Sequence, residues 1–398
     1  MRLAARALSS QAASSRLSKL RDTLSQDCLP GMELDLSRLQ TCLRGNFKDP
    51  RYFGEEAPPP FVRQLNIGEN PTYALKFSDP ACRKLVIRFH EDMAKHEFAA
   101  TASLHANRLT CSVPVAQPHV LLEDATLMGA PFYISDYVAG RTFSDAALAQ
   151  SSIKPEERRQ LHGALVDLAA ALHTVDMGQV SLAPREADSG RQLSEQSYFA
   201  TLTRDAADDY AEASERALSD CRFTEPMDYL RRWLPLAVPT GDDTRLSLVH
   251  GNLHAENVIF HPIEPRVAAL VDWESWVVGH PGVDLARLGL AYATPSTLAT
   301  EYRGFGSEAE RQMLGIPSEE EFLSRYVAKS GLFAVRENFD YYIAHTCFRL
   351  AAARVAADDQ EQLTDEDVAE AAALAKSGVE RAKRFDVGGW ASRNEVFA

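Results

Sequence analysis

Alternation of apolar and polar positions marks the first third of the chain as strand-rich. Residues 61–65, 72–77 and 85–89 alternate or cluster apolar side chains between turn-forming residues, as half-buried strands do. A helix is expected over about 94–104, with further strands near 120–122 and 132–134. The stretch from Tyr137 to Gly140 breaks this pattern and suits a hinge. Beyond it the period changes. Leu161, Leu165, Leu168, Leu172 and Val175 recur at intervals of three and four, which places them on one face of a helix. Pro155 fits its first turn, Glu156 and Glu157 complement the positive end of its dipole, and Gly178 fits its stop. Helices are also expected at about 194–216, 283–292, 319–329, 338–356 and 364–384, and residues 178–193 read as an exposed loop.

The pattern predicts an α+β fold in three stretches. Residues 1–33 would be leader and linker, 34–136 a small lobe of five antiparallel strands with one main helix, and 137–398 a larger, mainly helical lobe. No apolar run approaches the roughly 18–20 residues of a membrane helix, so no membrane span is expected. A net charge of −14 argues against nucleic acid as a partner, because a phosphate backbone selects basic surfaces. The six cysteines are scattered, with no paired spacing and no histidine at zinc-ligand distance in sequence. Residues 1–21 contain Arg2, Arg6, Arg16, Lys19 and Arg21 and no acid before Asp22, and they are rich in Ala, Ser and Leu. That is the composition of a mitochondrial targeting peptide, which implies the matrix. The alternative is an N-terminal tail on a cytoplasmic protein.

The candidate chemistry lies in two polar clusters. One is His250-Gly-Asn-Leu-His-Ala-Glu-Asn257. The other is Asp272-Trp-Glu274, closing the apolar run 267–271. With Val86-Ile-Arg88, His96-Glu-Phe98, Gly68-Glu-Asn-Pro-Thr-Tyr73 and Gly279-His-Pro-Gly-Val-Asp284, this order resembles the aminoglycoside phosphotransferase/choline kinase family, part of the protein-kinase-like fold. It is most similar to the branch sometimes fused to acyl-CoA dehydrogenase domains.

The resemblance implies a bilobal kinase-like protein that binds ATP and Mg2+. Asn257 and Asp272 would be the metal ligands, Arg88 the phosphate-binding cation, and Glu97 its helix partner. Gly68 and Asn70 would belong to the loop covering the phosphates, and Ser135 and Tyr137 would face the nucleotide. His250 and His254 are read as shaping the loop, and Asp284 as a helix cap or loop anchor.

The resemblance breaks at position 252. The family's catalytic base is an Asp there and this chain has Asn252. An amide accepts a hydrogen bond but takes no proton near neutral pH. Glu256, His254, Asp242 and Asp243 are the neighbouring groups that could compensate. Two functions follow as expectations. One is a weakened kinase for a small-molecule hydroxyl, with a hydroxyacyl thioester suggested by the branch. The other is a pseudokinase that binds Mg-nucleotide or a metabolite and regulates.

Overall fold

The computed structural model describes residues 26–66, 70–148, 153–180, 182, 195–217, 221–239, 246–298, 300, 302–356 and 364–394. The chain divides into two compact units. The first takes in the residues up to Arg108, with Pro114–Ala139 and Val271–Glu274. The second takes in Leu109–Val113, Gly140–Leu270 and Ser275–Ala398.

Unit 1 begins with β1 (Gln26–Asp27), α1 (Leu36–Leu43) and α2 (Pro50–Phe53), each helix capped by an aspartate, Asp35 and Asp49. There follow β2 (Phe61–Gln64), β3 (Thr72–Lys76), β4 (Leu85–Phe89), α3 (Ala94–Ala106), β5 (Pro118–Leu122), α4 (Ala125–Met128) and β6 (Phe132–Asp136). The sheet order is β1-β2-β3-β4-β6-β5. The five strands expected from the alternation pair antiparallel, and the two-residue β1 adds a parallel edge to β2 that the sequence pattern is too short to show.

Alternation sorts β4 cleanly. Leu85, Ile87 and Phe89 join a core with Leu39, Phe53 and Leu75, so Val86 and Arg88 point to the other face. In the register Arg88 lies opposite Tyr133 of β6, and Val86 opposite Ser135. Helix α3 buries Ala94, Glu97, Ala100, Thr101 and Leu104, a stripe at helical spacing that includes one carboxylate.

Unit 2 is mainly helical. Its elements are α5 (Pro155–His173), α6 (Glu195–Ala217), α7 (Cys221–Trp233), β7 (Ser247–Val249), β8 (Val258–Phe260), β9 (Val267–Leu270), β10 (Val277–Gly279) and α8 (Gly282–Gly289). These are followed by α9 (Glu308–Leu314), α10 (Glu319–Ser330), α11 (Phe333–Glu337), α12 (Phe339–Ala356) and α13 (Asp365–Asn394). Helix α12 packs against α6, α8 and α13, and is buried on nearly every side. Trp276, Phe223, Tyr326, Tyr341, Phe339 and Phe348 are almost wholly enclosed. Two short ribbons, β7 with β10 and β8 with β9, carry the loop 250–257.

Several expectations need correction. The helix opening at Pro155 ends at His173, where Thr174 caps it by donating its hydroxyl to the Ala170 carbonyl, so Val175 and Gly178 lie beyond it. The helix expected over 283–292 closes at Gly289 and tightens into a 3₁₀ turn over Leu290–Tyr292. Helix α7 was not expected at all, because Pro226 and many polar residues hide it. Most of the loop expected at 178–193 lies outside the described residues. Among those described, no helix is long and apolar enough to cross a membrane.

Candidate functional site

In unit 1, three carboxylates gather around one guanidinium. Arg88 Nε lies 3.2 Å from Glu97 Oε2, an ion pair without hydrogen-bond geometry. The same side chain donates to Asp272 Oδ1 and approaches Glu274 Oε2 at 3.6 Å. Glu97 is fully buried and accepts a 2.7 Å hydrogen bond from the Tyr133 hydroxyl, so the pair expected from the sequence is enclosed and not a solvent-exposed bridge. Burial pushes the Glu97 carboxyl up to about 7, with Arg88 and Tyr133 pulling it back and Asp272 and Glu274 adding to the rise. Glu97 and Asp272 hold the arginine protonated against its own burial.

Around this cluster, Asn70 Nδ2 lies 3.5 Å from Glu274 Oε2, and His90 Nε2 lies 3.2 Å from the same oxygen. Asn66 closes the turn before β3, donating to the Asn70 carbonyl and accepting from the Thr72 N–H. Neither His90 nor Asn66 was singled out by motif. Asn66 could have been found as a turn-forming amide two residues before Gly68. Gly68 falls outside the described residues. Ser135 is buried in β6, and Tyr137 follows that strand, its N–H bonded to the Lys84 carbonyl and its ring 5.4 Å from the Lys84 ammonium.

Asp272 adopts φ +70°, a left-handed conformation uncommon outside glycine. Holding a residue there costs about 1–3 kcal/mol, which marks a place where orientation is kept at the expense of stability.

In unit 2 the loop is anchored from beneath. Asp284, third in α8, accepts from the main-chain N–H of His250 at 2.7 Å and of Gly251 at 2.9 Å. Its Oδ2 also lies 3.3 Å from His173 Nε2, and His173 Nδ1 lies 2.7 Å from the Tyr326 hydroxyl. All of this is buried. Asp284 is therefore the loop anchor; the helix begins at Pro281 without a side-chain cap. Sequence reasoning missed His173 and Tyr326, because His173 stands 111 residues from Asp284 and 153 from Tyr326 and only the fold brings them together. Gly251 has φ +83°, and a Cβ there would meet the Ser275 carbonyl oxygen at 2.2 Å, so only glycine fits.

His250 is fully buried and shapes the loop from below. Asn252 Oδ1 accepts from Arg287 Nε at 3.2 Å, and its main-chain carbonyl accepts from Asn257 Nδ2 at 3.0 Å. Asn257 Nδ2 also lies 3.3 Å from His254 Nε2. With its nitrogen committed twice, Asn257 keeps its Oδ1 for an outside partner. Glu256 is exposed, while Asp242 and Asp243 fall outside the described residues.

Taken one at a time, two side chains offer donors of the kind Mg2+ accepts. Asp272 offers a carboxylate and Asn257 an amide oxygen, both hard ligands. Glu97, Asp272 and Glu274 also outnumber the single Arg88, so unit 1 carries an excess of negative charge that favours a cation. Ligand-type atoms of His90, Glu97 and Glu274 lie within 4.8 Å of one another, but Arg88 already stands among them, which disfavours a separate metal centre there.

The profile of the group described as "Phosphotransferase enzyme family" matches residues 62–316. The chain belongs to this family. Among curated relatives, acyl-CoA dehydrogenase family member 10 of Mus musculus is 31% identical over 300 residues, covering 74% of this chain and 26% of the relative. Acyl-CoA dehydrogenase family member 11 of Pongo abelii is 30% identical over 337 residues, covering 82% of this chain and 39% of the relative. The chain thus spans about a quarter to two-fifths of the length of these relatives. A crystal structure from Ralstonia eutropha, assigned as an aminoglycoside phosphotransferase, superposes with a TM-score of 0.70 at 26% identity, over 88% of this chain and 99% of that one. A thermostable aminoglycoside phosphotransferase in ternary complex with ADP and hygromycin B shares the fold, with a TM-score of 0.51 at 14% identity, over 81% of this chain and 93% of that one. The fold is the family's α+β, two-lobed, kinase-like fold.

Proposed function

We propose that this chain is a Mg-ATP-binding phosphotransferase for small-molecule hydroxyls whose transfer step is strongly weakened by Asn252. The observation that carries this reading is the state of position 252. An amide stands where the family places its base, and its oxygen is already bonded to Arg287 Nε at 3.2 Å. Such a group orients a hydroxyl but does not remove its proton. General-base assistance contributes about 10²–10⁴ in rate, and the rest of phosphoryl transfer rests on positioning and charge stabilisation, so slow turnover remains.

Asp272 and Asn257 would hold the metal ion, whose charge offsets that of the phosphates when bound. Arg88, buttressed by Glu97 and Tyr133, would face the phosphates as a fixed cation. ADP in a protein of the same fold supports nucleotide as the donor. Relatives named for acyl-CoA dehydrogenases support a hydroxyacyl thioester as one acceptor to test. The same amide at 252 also favours a second reading, a pseudokinase that binds nucleotide and regulates without turnover.

The test is calorimetric titration of Mg-ATP, then a phosphate-transfer assay over a panel of hydroxy metabolites, for the native chain and for Asn252→Asp. Binding by both, with turnover about 10²–10⁴ higher in the variant, is expected. Zero native turnover beside an active variant selects the pseudokinase. Equal turnover would mean that another group is the base, and no Mg-ATP binding by either would end the reading.

A further inference from the structure

An open pocket of about 230 Å³ lies wholly within unit 2, beside Asn252. Two helices wall it with the same spacing. Helix α6 presents Leu202, Asp205, Ala206 and Asp209, and α12 presents Thr346, Arg349, Leu350 and Ala353, each set at i, i+3, i+4 and i+7. Helix α8 adds Val283 and Arg287, and the loop adds Gly251 and Asn252.

The charges in this pocket are unevenly satisfied. Arg287 is bonded to Asn252 and stacks over the Tyr302 ring at 5.2 Å. Asp205 and Asp209 are exposed at the rim. Arg349 is half-buried, and among the described residues no carboxylate lies within ion-pair distance of it and no hydrogen bond engages it. A partly buried guanidinium without a counter-charge is costly, and a planar oxyanion is its natural complement. The orientation of Asn252 adds to this. Arginine only donates, so the amide oxygen must face Arg287, which turns Nδ2, a donor, away from it.

We infer that this pocket takes a small organic oxyanion, a carboxylate or phosphate monoester, seated on Arg349, with an apolar body along Leu202, Ala206, Leu350 and Ala353. This deepens the reading of the same site given above and rests on it for the claim that the ligand is the acceptor. The anion recognition itself stands on the pocket alone. The asparagine at 252 contributes twice: an aspartate there would repel the bound anion, whereas the amide offers it an N–H.

The probes are hexanoate, monohexyl phosphate, 1-hexanol and hexylammonium, titrated into the full chain by calorimetry with Mg-ATP binding measured in parallel. At least one anion is expected to bind about 10- to 100-fold more tightly than the alcohol and the amine, the range for a charge-assisted hydrogen bond. Arg349→Gln should abolish the preference, Arg349→Lys should keep part of it, and Asp205→Asn should strengthen anion binding by a small factor. All three should bind Mg-ATP as the native chain does, which also verifies that they fold. Hexanoate preferred over hexyl phosphate identifies a carboxylate ligand, and the reverse a phosphate ester. Equal affinity for all probes, preference for the amine, no binding of any probe, or a preference untouched by Arg349→Gln would each overturn the inference. Anion preference without Mg-ATP binding would keep the pocket and end the phosphotransferase reading.

Discussion

In unit 1, Glu97 shares Arg88 with Asp272 and Glu274, so three carboxylates depend on one positive charge. In unit 2, Asp284 is satisfied by the main-chain N–H groups of His250 and Gly251 and by His173. Both hubs are buried carboxylates at the heart of a polar cluster. The first is balanced by one guanidinium shared among three carboxylates, and an added cation would redistribute that sharing. The second is balanced mainly by backbone groups that cannot leave, with one histidine beside them. The contrast separates two tasks, responding to charge and fixing geometry, and assigns each to a different unit.

The comparison breaks most directly at its centres. Arg88→Met leaves buried Glu97 without its cation, and Asp284→Ala leaves two buried N–H groups unpaired, so each should cost about 3–5 kcal/mol. Urea unfolding with pulse-labelled hydrogen exchange, read separately for each unit, checks both. Adding Glu97→Gln should recover a large part of the loss in the Arg88→Met background, because the unpaired charge is then gone. No comparable partner substitution should recover Asp284→Ala in full, since two of its three partners are main-chain N–H groups.

Two buried groups, one in each unit, should contribute to the pH dependence with opposite sign. Glu97, raised to about 7 by burial, binds its proton more tightly folded than unfolded. Its contribution is present below about 4.5 and lost as pH rises to about 7, a fall of about 3 kcal/mol in unit 1. His162 of α5 is lowered to about 3, first by burial and then by Arg158. Its contribution is present above about 6.5 and lost as pH falls towards 3, about 5 kcal/mol in unit 2. The same unfolding experiment across pH 3–8 measures both slopes, and Glu97→Gln and His162→Phe should each flatten only its own. Changes of slope of the same sign in the two variants would contradict the contrast.

Smaller effects probe the loop and the periphery. Gly251→Ala forces a left-handed residue against Ser275 and should destabilise unit 2 by about 1–3 kcal/mol. Ser318→Ala removes the capping box with Glu321 at the start of α10 and should cost only about 1 kcal/mol, leaving the site unchanged by nucleotide titration.

What was legible in the sequence follows from the range of the interactions. β4 was read to its ends because Leu85, Ile87 and Phe89 alternate with Val86 and Arg88, a signal complete within five residues. α12 was read to within a residue because an 18-residue apolar helix is unambiguous. α7 was hidden by Pro226, whose local penalty is outweighed by packing on α13, a contact no local window contains. At the site, motif order singled out Arg88, Glu97, Asn252, Asn257 and Asp272 as candidates. It could not identify His173 or Tyr326, whose roles exist only because α5 and α10 bring them to Asp284. Arg349 was legible as a motif letter but not as a cation with no carboxylate at ion-pair distance among the described residues, because that is a property of its surroundings.

Asp284 holds the loop by its backbone, so the loop's course is independent of which side chain stands at position 252. Asparagine and aspartate codons differ by a single nucleotide. On the reading proposed here, a lineage carrying this chain can gain or lose proton abstraction in one mutational step without refolding the loop, and the same step changes the sign of its preference for an anionic ligand.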